Sequence, residues 1–168
     1  MTALFPRPLL ATRADSALYV VRPAVDDPLR RALRLGRNVL IVGDHGSGRT
    51  SLLHAHAREL REGHRTVVYI DGRAPDAAAD IVRAVGLAIE DQGHPPRAIG
   101  RPAADEEGVL GALRQLPDAR DAIVLLDDPS PDDAFELFGR HRDRLWETDY
   151  TWVVATTPEG AALLAAPP

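Results

Sequence analysis

The segment Gly43-Asp44-His45-Gly46-Ser47-Gly48-Arg49-Thr50 has the residue types and spacing to hold a phosphate. It matches G-x-x-x-x-G-K-[ST] at every position except the lysine, and it lies between a strand-like run and a helix-like run, the setting that pattern needs. Glycines let the turn take backbone angles that aim successive N–H groups inward, and the helix that follows adds the positive end of its dipole. The result is a concave anion site. Its candidate ligand-binding residues are Gly43, His45, Gly46, Ser47, Gly48, Arg49, Thr50 and Ser51, with the Thr50 hydroxyl placed for Mg²⁺ and Ser51 as its substitute. A glycine-rich turn between strand and helix that holds no ligand is the plain alternative.

Arg49 stands where a lysine normally reaches the outer phosphates. A guanidinium keeps the charge but is planar, longer and bulkier than an ammonium, so phosphate binding is expected to survive better than transition-state geometry. No lysine occurs anywhere in the chain, and all 20 basic residues are arginines. Arg49 therefore reflects either a chain-wide bias or a selected loss.

Asp127 and Asp128 close the apolar run IVLL, the pattern of an acid that holds Mg²⁺ beside a phosphate loop. Asp127 is the metal-side candidate. Asp128 takes the place of a water-activating base and, with a side chain shorter than glutamate, must sit closer to its target or act through a further water. Asp-Asp-Pro-Ser-Pro is also good turn chemistry, so a strand end followed by a helix cap competes with this reading. Thr156 and Thr157 end a later strand, where a hydroxyl would orient the attacking water or sense the terminal phosphate; capping of a helix near Pro158 is the competing role. Thr156 is the catalytic candidate of the two. Asp71, also at a strand end, is a weaker one.

Other chemistry-bearing residues point elsewhere. His54 and His56 are two apart on a helix and face different sides, which makes them poor metal partners. Arg140, Arg142 and Arg144 form a basic stretch best read as a solvated face, and Phe135, Phe138 and Trp146 are expected in the core. His45 lies within reach of a phosphate or a partner, or serves as a loop residue of no fixed role.

The elements that must position these groups follow from periodicity. Asn38–Val42, Thr66–Ile70, Ala122–Leu126 and Thr151–Ala155 are short, almost wholly apolar runs that read as strands buried on both faces. Helical spacing predicts Thr50–Glu62, Asp76–Glu90, Asp105–Leu116 and Pro131–Trp146, and Asp26, Asp27 and Pro28 read as the N-cap and first turn of a helix ending at Leu35. Tyr19–Val21 reads as a short strand before Pro23. Apolar strands separated by helices require parallel pairing, so the fold expected is α/β, a three-layer α/β/α sandwich on a parallel sheet. Residues 1–17 form an arm, 18–160 the core domain and 161–168 a tail.

Composition sets the outer limits. The 168 residues fit one domain and suffice for a real core, with 45% hydrophobic and 27% charged residues. The net charge of −5 argues against a broad grip on nucleic acid or anionic lipid. With no cysteine, disulfides, thiolate metal sites and thiol nucleophiles are excluded. The start has no secretory pattern and no apolar run reaches a membrane span, which makes a cytoplasmic protein the default.

In this order the parts resemble P-loop ATPases of the AAA+ and STAND groups. The resembling pieces are YVVRP (Tyr19–Pro23), GDHGSGRTSLL (Gly43–Leu53), VVYIDG (Val67–Gly72), IVLLDD (Ile123–Asp128) and WVVATT (Trp152–Thr157). The resemblance implies a P-loop NTPase core that takes ATP and Mg²⁺, with Val20, Val21 and Arg22 at the base pocket and the fourth strand inserted between the first and third. The paired acids look more like those of STAND signalling ATPases than the Asp-Glu of most AAA+ motors. No guanine-reading Asn-x-x-Asp follows the fourth strand, which favours ATP. Relatives continue beyond the position of Pro168 into a fifth strand and a helical lid, so a protein partner or a second copy is expected to complete the nucleotide site. The function expected is an ATP-binding regulatory or assembly switch with weak or partner-dependent hydrolysis. Its alternatives are a pseudo-ATPase interaction scaffold and, against the negative charge, a DNA-associated ATPase fragment.

Overall fold

The computed structural model describes residues 7–10, 12–73, 122–140, 142 and 150–165. The helices expected over 76–90 and 105–116, together with His141, Arg144, Leu145 and Trp146, lie outside the described residues. In chain order the elements are α1 (Arg13–Ser16), α2 (Pro23–Arg34), β1 (Val39–Val42), α3 (Arg49–Glu62), β2 (Val67–Asp71), β3 (Ile123–Asp127), α4 (Pro131–Phe135), β4 (Thr151–Thr156) and α5 (Pro158–Ala165). A π-helical turn, Glu136–Arg140, continues α4.

The four described strands form one parallel sheet in the order β1-β4-β3-β2, so the fourth strand does lie between the first and third. Period-two alternation sends Val39, Ile41, Val153, Ala155, Ile123, Leu125 and Val67 to one face, where they pack with Leu29 and Leu33 of α2 and Leu52, Leu53 and Ala57 of α3. The opposite face carries Trp152, against whose ring Phe138 of the π-turn stands edge-on with centroids 5.6 Å apart. Helices thus cover both faces, and the expected three-layer α/β sandwich is the fold. α5 crosses the boundary expected at residue 160.

Local details differ from the sequence reading in four places. α2 begins at Pro23 and not at Asp26–Pro28. Proline's fixed φ suits the first turn, and the Asp26 carboxylate reaches back to accept the Arg22 N–H at 2.7 Å, so the helix starts earlier and absorbs Pro28 in its second turn. Tyr19–Val21 joins no strand, because Tyr19 is drawn to Asp26 while Val20 is left 78% exposed. Finally, β1 is buried on one face only: it is the edge of the described sheet, with Leu40 46% and Val42 49% exposed. Phe135, expected in the core, is also exposed.

Candidate functional site

The loop between β1 and α3 is fixed at both ends. Gly43 N–H donates to the Thr156 carbonyl at the end of β4, Ser47 N–H closes a turn on the Asp44 carbonyl, and Leu52 N–H donates to the Gly48 carbonyl to open α3. Gly46 and Gly48 have φ of +80° and +88°, a region that side-chain-bearing residues enter at a penalty. The first-turn amides of α3 lack intrahelical partners, as at any helix start, and Gly46, Gly48, Arg49 and Thr50 line the hollow beside them. Arg22 braces the loop from outside, its Nη1 donating to the Ser47 carbonyl at 2.9 Å.

Arg49 turns inward. Its side chain is 9% exposed, with Nη2 3.3 Å from Asp128 Oδ1 and Nη1 buried without a partner among the described residues. Asp128 has a φ of +52°, and its N–H donates to the Ala155 carbonyl, which swings its carboxylate off the end of β3 toward the loop. Asp127, in the last strand position, is buried; its Oδ2 accepts the Tyr69 hydroxyl at 2.9 Å and its Oδ1 has no partner among the described residues. Burial and the adjacent Asp127 carboxylate push the Tyr69 hydroxyl well above its ordinary value, so it stays a donor. The Tyr69 ring in turn stacks on His54 at 4.1 Å between centroids. Two polar atoms, one a cationic donor and one an anionic acceptor, are therefore left unsatisfied by the described residues; Arg49 lines the cavity described next, and Asp127 does not.

A cavity of about 430 Å³ opens over the loop, within the ~300–1,000 Å³ typical of small-molecule sites. Of the residues expected to bind, His45, Gly46, Gly48, Arg49, Thr50 and Ser51 line it, as does Asp128. Gly43 and Ser47 shape the loop from behind the lining. Thr156 does not line the cavity: it is buried, a Cβ at Gly160 would collide with its hydroxyl, and its carbonyl anchors Gly43. Thr157, not Thr156, caps α5, accepting the Gly160 N–H at 3.2 Å. Ser51 is already engaged, its Oγ accepting the Leu9 N–H at 3.0 Å, which leaves Thr50 as the free hydroxyl of the pair. Val20 and Val21 lie exposed beside Arg22, near the loop but outside the lining.

Sequence reasoning did not find Arg7, Pro8, Leu9 and Arg73, which also line the cavity. Arg73 follows Asp71 and Gly72 at the end of β2, and the tendency of ligands to gather at the carboxyl ends of parallel strands was a usable signal for it. It forms a double hydrogen bond to the Asp71 carboxylate at 2.8 Å from each nitrogen, which holds Asp71 below the usual carboxylate range. Nothing in the pattern of the arm marks Arg7 or Leu9.

Behind the loop a buried polar cluster ties α2 to α3. Asp26 accepts from the Tyr19 hydroxyl at 3.0 Å, from the Arg22 N–H, and from His56 Nε2 at 2.9 Å. An ionised carboxylate is acceptor-only, so Nε2 carries the proton. His54 and His56 point to different partners, Tyr69 and Asp26, and no cluster of metal-ligating side chains occurs among the described residues.

With the strand order, the loop and the acid pair in place, the family match is decisive. A family model described as AAA domain matches residues 33–158, well over half of the 168-residue chain. The chain belongs to the AAA domain family. No curated protein matches it. The matched span takes in the end of α2, the loop, both acids and the whole described sheet, while the arm and Val20–Arg22 precede it.

This AAA domain is a P-loop module of the nucleotide-binding type. No helix among its described residues is long and apolar enough to cross a membrane. Its donors suit the group that such domains take. Arg49 Nη1, without a partner among the described residues, and the helix-start amides match a phosphate; the Thr50 hydroxyl in the lining and the Asp127 carboxylate, buried behind it, are hard oxygen donors of the kind Mg²⁺ prefers.

Proposed function

We propose that the chain is an ATP-binding AAA domain acting as a regulatory or assembly switch, with hydrolysis that is weak or completed by a partner. The observation that carries the reading is the Arg49 guanidinium, buried against the cavity with one nitrogen on Asp128 and the other without an acceptor. A buried cationic N–H without a partner is unfavourable, and a phosphate oxygen would relieve it. Gly46, Gly48 and Arg49 would hold the phosphates, and Thr50 with Asp127 the Mg²⁺, which supplies charge neutralisation at the phosphate oxygens. Val20, Val21 and Arg22 are the nearest surface for a base. Ser47 and Gly43 keep the loop in shape, and Thr156 acts through the Gly43 anchor.

The weakness of turnover follows from the same pair. Asp128 Oδ1 lies 3.3 Å from Arg49 Nη2, so the carboxylate is occupied by a guanidinium and not open to an attacking water. It serves as a water-activating base only after Arg49 has transferred to a phosphate. Paired acids support a place nearer the STAND signalling group than the motors, and a protein partner or second copy is the expected source of whatever covers the site. A second reading, a scaffold that never turns nucleotide over, is favoured by the same Arg49–Asp128 contact if it persists with ligand.

Calorimetric titration of the purified chain with ATP and Mg²⁺ tests the first reading. Binding in the micromolar to low-millimolar range is expected. Absence of heat at millimolar nucleotide, for both the natural chain and Arg49→Lys, overturns it. The scaffold reading predicts that Arg49→Ala changes neither stability nor partner recognition.

A further inference from the structure

The residues ahead of the family match build one wall of the cavity. Arg7, Pro8 and Leu9 line it together with the loop residues, although the matched span begins only at residue 33. This segment is fastened in place. Leu9 N–H donates to Ser51 Oγ, one residue beyond the candidate magnesium ligand Thr50. Arg7 forms a bidentate pair with Asp15, at 2.7 and 2.9 Å, and the same carboxylate accepts the Leu10 N–H at 2.9 Å. Asp15 is itself buried in α1, whose Thr12 cap fixes its backbone at 3.1 Å.

The charge on this wall is one-sided. Among the described residues, the cavity-lining side chains include the arginines Arg7, Arg49 and Arg73 against one carboxylate, Asp128; Asp15 and Asp71 stand outside the lining, each paired with one of the arginines. Among the described residues Arg7 spends three of its five N–H donors, on Asp15 and the Pro8 carbonyl, and its side chain is more than half exposed. A guanidinium oriented from behind by a carboxylate, with two donors left and an open cavity in front, is preorganised for a second anion.

We infer that the ligand site extends onto the N-terminal arm and that Arg7 is a further phosphate-binding residue, presented to the phosphate chain by Asp15. The inference rests on the nucleotide reading above. It makes the arm a working part of the site in the same molecule, distinct from any contribution by a partner. If Arg7 only staples the arm to the core, the phosphate chain never feels it.

The test uses the full chain, with ATP and inorganic tripolyphosphate as probes by calorimetry, comparing it with Arg7→Gln. Loss of roughly tenfold in affinity for both probes, in a variant whose thermal melt shows it folded, is the expected result. Unchanged affinity of Arg7→Gln for ATP overturns the inference and leaves the nucleotide reading standing. Failure of the natural chain to bind either probe overturns both. Should Arg7→Gln not fold, amide exchange at Leu9 and Leu10 of the natural chain decides: slowing of at least severalfold by tripolyphosphate is expected, and unchanged exchange overturns the inference.

Discussion

The Arg49 guanidinium sits 3.3 Å from the Asp128 carboxylate, joining the loop that would hold a phosphate to the acid that would act beside it. In a lysine-bearing loop the cation is a compact point charge, free to follow a phosphate. Here it is a planar fork already engaged.

The contact makes Asp128→Ala a test of what the acid does in the resting protein. Removing it strips the Nη2 of Arg49 of its partner and leaves a nearly buried guanidinium with no carboxylate. A loss of ~1–3 kcal/mol in urea unfolding is expected, short of a fully buried pair because Asp128 is partly exposed. ATP should restore a larger share of stability to this variant than to the natural chain, since phosphate then supplies the missing acceptor. Equal gains in the two proteins would show that Arg49 does not meet the ligand.

Tyr69→Phe isolates the hydroxyl that holds Asp127. The ring contact with His54 is retained, but Asp127 then has neither oxygen paired within the described residues. The expected penalty is ~1–3 kcal/mol in denaturant unfolding. Added Mg²⁺ with ATP should recover part of it, and no recovery would argue that Asp127 is not a metal-side ligand.

Gly48→Ala addresses the loop itself. A φ of +88° is strained for alanine, and the new methyl group would meet the Arg22 guanidinium at 3.6 Å, an ordinary contact. Strain and not collision is therefore expected to dominate, at about 1–2 kcal/mol. Nucleotide binding should fall more than stability, because the first amides of α3 lose their aim. A melt shift without a change in affinity would count against the loop as the phosphate site.

Stability should fall on acidification in two stages. Burial outweighs the attraction of Asp26 and holds His56 below the ordinary imidazole value near 6.5, so the unfolded chain takes up that proton first. The contribution is intact above about pH 6.5 and is lost as pH falls toward the lower folded value. Burial tends to raise Asp26, but the Arg22 N–H, the Tyr19 hydroxyl and His56 outweigh it and hold it below the usual carboxylate range. Asp15, paired with Arg7, is lowered to about 2. Both carboxylates stabilise the fold above about pH 4 and cease to do so below it. His56→Gln should flatten the first stage only in part, because burial lowers His54 as well. Urea midpoints between about pH 2 and 8 would show both slopes, and a flat profile in the natural chain would contradict them.

The strands, the phosphate loop and the acid pair were legible because each is a local pattern: an all-apolar run, glycines at fixed offsets, an acid at a strand end. The strand order came from family resemblance, since periodicity says which residues are buried but not beside which neighbour. What escaped was set by tertiary contact. Pro28 looked like a first-turn residue until Asp26 proved to cap from one turn inside the helix. β1 has the composition of a central strand yet lies at an edge of the described sheet, a distinction that depends on what pairs with it. Among site residues, Thr50 and Asp127 belong to a spaced motif, whereas Arg7 reaches the cavity only because Leu9 happens to find Ser51, 42 residues away.

The Asp26 cluster also bears on where the protein can be cut. A fragment begun at residue 33, the first position of the family match, would lack Asp26 and Leu29, leaving the His56 imidazole without its acceptor and a hole beside Leu52 and Leu53. Such an excised piece would retain every residue of the motif and still be a poor folding unit. A fragment that keeps this cluster must therefore start upstream of the homology that identifies the domain.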